Sequence, residues 1–313
     1  MGWVGPCGIF QGGGVCLERD QEGSLEEKRS MGKGRRGDSP TAEVLKSEGA
    51  VSALPDVRGG KSGHGDEVAR SDALQKKWRE MSVQQWHDAM YRVRESNYFA
   101  DLLPQTTAFI ERQAKRISGP IIAAEIGCGT GACTVPVAGV ADVVLGIDFN
   151  ADFIDFARRE YGSECDFLHG DCQVLGEVLR EAYPEKMKTH TPLLFSVNNT
   201  HGILPASIEA NINQAMAEVA GTDGIIVIGL WNGNKFGDAV QHFYAKNPAL
   251  CGQINTGAQF DWANCTMTTA DGYTTKWSTP EETLAKIENA GWECIELLEA
   301  GAGVLIAARP LRN

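Results

Sequence analysis

The sequence predicts a doubly wound α/β fold: a mostly parallel seven-stranded sheet with helices on both faces. Three observations predict it. Seven short apolar runs lie between residues 121 and 308, and helical patterns separate most of them. The first run, Ile121–Ile126, ends in Gly127-Cys128-Gly129-Thr130-Gly131, a turn bare of every second Cβ. Ile208, Ile212, Met216 and Val219 form a helical stripe between two of the runs.

Residues 1–70 read as a disordered tail. They hold 15 of the 36 glycines and no sustained apolar period, too little to offset chain entropy. The basic stretch Lys28–Arg36 reads either as a sorting signal or as a solvated segment. Residues 71–313 read as one domain, a helical cap over 71–119 and a sheet core over 120–313. In the cap, Leu74, Trp78 and Met81 share one helical face, and Val83, Trp86, Met90 and Val93 share a shifted one. Ser82-Val83-Gln84-Gln85 has the form of a capping box, so a new helix starts there. A further helix is predicted over Pro104–Arg116 with Ala108, Ile110, Ala114 and Ile117 inward. Strands are predicted at Ile121–Ile126, Val143–Ile147, Cys165–His169, Leu193–Val197, Gly224–Trp231, Glu293–Leu298 and Gly303–Ala308. Helices are predicted after Gly131, Asn150, Asp171, Pro205 and Pro280. Thr279-Pro280-Glu281-Glu282 is a capping box with proline at the first helical position, and Gly291 stops that helix.

Composition narrows the function classes. The formal net charge is −12 over 313 residues. It sits in the domain, where residues 71–313 carry 30 acidic and 19 basic side chains against 11 and 10 in the tail. Such a domain repels phosphate backbones, which argues against nucleic acid as partner. The nine cysteines show no CxxC or zinc spacing and read as reduced thiols, so no metal and a cytoplasmic location are expected, with an organelle signal in the tail left open. No apolar run reaches the roughly 18 residues of a membrane span. The start shows no secretory signal pattern. A monomer or homodimer is expected.

In an open α/β sheet, ligands sit outside the carboxyl ends of the strands. Those ends carry, in order, Glu125 with the glycine turn, Asp148-Phe149-Asn150, His169-Gly170-Asp171-Cys172, and Asn198-Asn199-Thr200-His201. Glu125 is an acceptor where a phosphate-binding loop would avoid one. The pattern Glu125-x-Gly127-x-Gly129-x-Gly131, with Asp148 seventeen residues past Gly131 and Asp171 after the third strand, resembles the class I S-adenosylmethionine-dependent methyltransferases. The resemblance covers about residues 75–313. It implies a Rossmann-like core with S-adenosyl-L-methionine as cofactor. It further implies that Gly127, Cys128, Gly129 and Gly131 pass under the methionine portion, that Asp148 accepts both ribose hydroxyls, and that Phe149 flanks the purine. Asp171 would accept from the adenine amino group, Cys172 would donate from its backbone, and Asn198 would lie near the methionine end.

Alternatives stand beside this reading. Gly127–Ala132 also satisfies GxGxxA, the dinucleotide fingerprint, and Asp148 suits either ribose. Glu125, Asp171 and the roughly 180 residues after the loop favour the sulfonium cofactor over a nicotinamide oxidoreductase. His201 reads either as the base that deprotonates an acceptor or as a histidine bonded within its loop. His169 reads as structural, His242 as a weaker substrate-facing candidate, and Cys128 as present for its size. The insertion after the fifth strand is rich in aromatic rings: Trp231, Phe236, Phe243, Tyr244, Phe260, Trp262, Tyr273 and Trp277. It reads either as a satellite core or as a pocket whose π faces meet a cation. On the second reading Trp231, Phe236, Tyr244 and Asn199 face the substrate, with Trp86, Tyr91 and Tyr98 of the cap as the other wall. The expected reaction is methyl transfer to a small-molecule acceptor, with a lean to an amine or thioether; a protein or RNA methyltransferase is the alternative.

Overall fold

In the computed structural model, residues 82–84, 86–88, 96, 98–248, 257–270 and 272–311 are described. They belong to one compact unit, Gly59–Asn313. The expected tail over 1–70, the helix carrying Leu74, Trp78 and Met81, and Tyr91, Met90 and Val93 lie outside the described residues. Val83, Gln84 and Trp86–Asp88 are helical, and Trp86 N–H donates to Ser82 O, so a helix does start after Ser82.

The sheet is built from β1 (Ile121–Ile126), β2 (Val143–Asp148), β3 (Asp166–His169), β4 (Thr191–Ser196) and β5 (Ile225–Trp231), with the hairpin Trp292–Ala300 and Gly303–Pro310 closing one edge. Its order runs β3-β2-β1-β4-β5, then the hairpin's second strand, then its first. The five leading strands pair in parallel, and the hairpin pairs antiparallel to β5 and to itself. Each of the seven strands overlaps the run that predicts it. Side chains alternate across the sheet as a strand period requires. Ile122, Ala124, Ile126, Leu145 and Ile147 join one core, and Ile121, Ala123, Phe195 and Val227 join the core on the other face.

Helix α1 (Leu102–Ala114) buries Leu102, Thr106, Phe109, Ile110 and Gln113. Ala108, expected inward, is exposed, because the larger Phe109 and Leu102 set the face. Helix α2 (Ala151–Tyr161) is capped by Asn150, whose Oδ1 accepts from the N–H groups of Asp152 and Phe153. Helices α3 (Leu175–Ala182) and α4 (Lys186–Thr189) precede β4; α5 (Thr200–Ile203) and α6 (Ala206–Ala220) follow it. Helix α7 (Phe236–His242) opens the insertion, and α8 (Pro280–Asn289) has the full Thr279/Glu282 capping box. The helix expected after Gly131 does not form. Only a 3₁₀ turn, Val135–Val137, stands there, because Pro136 lacks a donor and its ring obstructs a continuing helix. The insertion holds a second, unforeseen sheet of three antiparallel strands, β6 (Ala258–Asp261), β7 (Thr266–Thr269) and β8 (Thr274–Lys276). Among the described residues no helix is long and apolar enough to cross a membrane, and no group of His, Cys, Asp or Glu is arranged to hold a metal.

Candidate functional site

The strand order reverses direction between β1 and β4, and a cavity of about 270 Å³ opens there, outside the carboxyl ends of the parallel strands. The sheet sorts its lining. Asp171, Cys172 and Gln173 come from the end of β3; Asp148 and Phe149 from β2; Glu125 to Thr130, with Ala132 and Cys133, from β1; Ser196 to Thr200 from β4; Trp231 from β5; Tyr273 from the β7–β8 turn. Ile203, Leu204, Ile208 and Ile212 add an apolar wall, and Trp86, stacked on Phe153 with ring centres 5.8 Å apart, closes another side.

The glycine turn is held by its own backbone. Gly127 and Cys128 N–H both donate to Ile147 O, at 2.9 and 3.0 Å. Gly127, Gly129 and Gly131 have φ of 72°, 56° and 84°, a region that strains any residue with a Cβ. At Gly131 a Cβ would also meet the Phe167 ring at 2.7 Å, and Gly131 does not line the cavity. This glycine thus serves packing, which corrects its expected contact with the cofactor. Cys128 fills the space above Gly146, where a Cβ would stand 2.7 Å from its Sγ.

Two carboxylates are buried here. Asp148 is 7% exposed; Oδ2 accepts from Gly129 N–H and Oδ1 from Asn150 N–H, each at 2.9 Å. Burial raises its pKa, and those two donors oppose the rise. Glu125 is 3% exposed. Thr134 Oγ1 donates to its Oε2, Oε1 has no hydrogen bond among the described residues, and Glu125 lines the cavity. Burial raises its carboxyl to about 8; the Thr134 bond opposes this and the Asp148 charge adds to it. Asp171 is exposed and accepts from Gln173 N–H at 2.8 Å. Burial pushes the Cys172 thiol up to about 12 and the Cys128 thiol well above its ordinary range, so neither is a nucleophile near neutral pH. Among the described lining residues three are acidic, and none is Lys, Arg or His.

Asn198 and Asn199 both have positive φ, 54° and 66°. Asn198 lines the cavity. Asn199 spends its amide on the protein: Oδ1 accepts from Trp231 N–H at 2.9 Å, and Nδ2 donates to Lys276 O at 3.2 Å. It lines the cavity as well, and its amide ties β4 to β5 and β8.

His201 does not line the cavity. It is 3% exposed, with Nδ1 3.0 Å from Ser196 Oγ and Nε2 3.0 Å from Asn213 Oδ1, and Ser196 Oγ in turn donates to Ile126 O. Burial lowers its pKa. Of the two readings of this residue, the geometry selects the bonded loop histidine, and the base role is set aside. His169 Nε2 lies 3.0 Å from Phe149 O, and His242 is absent from the lining.

The aromatic insertion is a satellite core with one edge on the cavity. Phe236 and Tyr244 are each 2% exposed, Trp277 Nε1 donates to Tyr244 Oη, and Tyr98 Oη donates to Lys235 O. These bonds correct the expectation that Tyr98, Phe236 and Tyr244 face substrate. Trp231 does line the cavity, packed on Phe99 and Trp277 with centroids 5.0 Å away in each case. Gln173 escapes sequence reasoning; Tyr273, named there only among the rings of the insertion, reaches the cavity because Gly272, with φ of 86°, turns the chain between β7 and β8. Burial raises the Tyr273 phenol to about 12.

No protein-family profile matches the chain, and no curated protein does. Among solved structures, it is similar to an S-adenosylmethionine-dependent methyltransferase from Clostridium acetobutylicum ATCC 824 at 9% identity and TM-score 0.49, covering 72% of this chain and 98% of that one. It is similar to one from Anabaena variabilis ATCC 29413 at 11% and 0.49, covering 82% and 99%. It is also similar to the Burkholderia thailandensis 1,6-didemethyltoxoflavin-N1-methyltransferase at 11% and 0.48, covering 82% and 94%.

Proposed function

We propose that this chain transfers a methyl group from S-adenosylmethionine to a small-molecule acceptor. The observation that carries the reading is the cavity's acidic lining: three carboxyl groups and, among the described lining residues, no cation, at the switch point of a parallel sheet. A pyrophosphate-bearing dinucleotide needs the opposite field. A nucleoside with cationic groups and hydroxyl donors suits this one. Asp148, oriented by backbone donors that include Gly129 and Asn150 N–H, would accept the ribose hydroxyls. Asp171 and the Cys172 backbone would serve the adenine edge, Phe149 its face, Glu125 and the Gly127–Gly129 backbone the amino-acid portion, and Asn198 the space beside the reacting centre.

The bound cofactor supplies a methyl group on a positively charged sulphur, open to in-line displacement. The chain's own part is to hold the acceptor in line and exclude water. Among the described lining residues no histidine stands ready as a base. Tyr273 keeps its proton to about 12, His201 is bonded elsewhere, and this reading gives the three acidic side chains to the cofactor. This reading favours an acceptor that brings its own available lone pair. A neutral amine or a thioether does so, and the cationic product is stabilised by the carboxylates and the Trp231 face. A panel of amines, thioethers, phenols and carboxylates incubated with methyl-labelled S-adenosylmethionine tests this. Label is expected on amines or thioethers; label on phenols or carboxylates alone would overturn the acceptor class. Label on protein or RNA alone would favour the macromolecular alternative.

A further inference from the structure

We infer that Glu125 couples cofactor binding to proton release: seating the ligand's ammonium group against Oε1 expels the carboxyl proton to solvent. The inference rests on the S-adenosylmethionine reading and goes beyond it. The step is balanced: a neutral Glu125 carboxyl and a cationic ligand become a carboxylate–ammonium pair and one free proton. No covalent bond other than the carboxyl O–H breaks.

The geometry leaves Glu125 without a countercharge. It is the last polar group before the glycine turn, on a strand buried along its whole length. One oxygen is taken by Thr134; the other has no bonded partner among the described residues, and the side chain lines the cavity. The neighbouring β4 presents Phe195 at the paired position, which offers no charge. The titratable groups that face Glu125 are Asp148 from β2, Cys128 in the turn and Cys165 before β3. All three disfavour a second negative charge, or stay neutral themselves. A carboxylate in such a place costs more than the neutral acid until a cation arrives. Burial accordingly raises its pKa to about 8, so the empty cavity carries the proton at neutral pH. The ammonium is the cation that satisfies it, because an ammonium donates hydrogen bonds and a sulfonium has none to give.

The test is titration calorimetry of the full chain with S-adenosylhomocysteine, whose sulphur is neutral and whose ammonium is intact. At pH 6.5, in buffers of different ionisation enthalpy, the heat should report release of about one proton per ligand bound. Between pH 6 and 7 the Kd should fall about tenfold, as linkage to one released proton requires. 5′-Methylthioadenosine, the same nucleoside without the amino-acid group, should bind with no release. Glu125→Gln should still bind S-adenosylhomocysteine, without release and with a flat Kd over this range. Binding of S-adenosylhomocysteine without proton release, equal release with 5′-methylthioadenosine, or release retained in Glu125→Gln would each overturn the inference while leaving the cofactor reading intact. Failure of both nucleosides to bind would overturn the cofactor reading, and this inference with it.

Discussion

Glu125 titrates near 8 in the folded chain against an ordinary 4.5, so the ligand-free protein binds this proton more tightly folded than unfolded. Its contribution is complete below 4.5 and is lost as the pH rises to 8, up to about 5 kcal/mol if the full shift is realised. Ligand-free Glu125→Gln has no such loss. It is predicted to gain on the parent in urea unfolding as the pH is raised from 5 to 8.5, with the two converging at pH 5. Parallel stabilities across that range would contradict the buried, uncompensated carboxyl. The acidity of this position and the glycines beside it were legible because strand-end residues follow from local pattern alone. The fates of His201 and Asn199 were not. His201 is fixed by Ser196 and by Asn213 on α6, and Asn199 by Trp231 N–H and Lys276 O. Neither set of partners is defined until the sheet and helices have packed.

At the level of elements, one buried amide joins the end of β4 to both β5 and the insertion after it, beside the backbone bonds of Ser278 with Trp231 and Gly233. Asn199 is 1% exposed and bonds both the β5 end and the β8 end. Gly202 lies against it so closely that a Cβ would stand 2.3 Å from its Oδ1. Asn199→Ala leaves a buried N–H and a buried carbonyl without that partner, at a cost of about 2–4 kcal/mol. A clear fall in urea midpoint is the expected outcome, with Kd for S-adenosylhomocysteine less affected than KM for the acceptor. An unchanged midpoint would show that the hairpin is anchored by other contacts. The seven strands could be read because apolar runs bounded by glycine or acidic turns are a local signal. Strands β6–β8 could not, since their runs are short and rich in threonine and their pairing follows from turns at Asp261–Cys265 and Gly272. The aromatic rings of the insertion announced burial, but sequence could not say which ring would reach the cavity.

Across the whole molecule, the sheet order lays the polar groups out in a line, from Asp171 on β3 through Asp148 and Glu125 to Asn198 and Trp231. An extended ligand with hydroxyls at one point and a cation further along matches that line. The account depends on this acidic cavity taking a cationic nucleoside and refusing a pyrophosphate. The direct measurement is calorimetric titration of the full chain, and of Asp148→Asn, with S-adenosylmethionine and with NAD⁺. The account predicts one molecule of S-adenosylmethionine bound per chain, at least about tenfold weaker in Asp148→Asn where one carboxylate hydrogen-bond set is lost, and no saturable heat with NAD⁺. Saturable binding of NAD⁺ with none of S-adenosylmethionine, or an affinity for S-adenosylmethionine unchanged in Asp148→Asn, would contradict it.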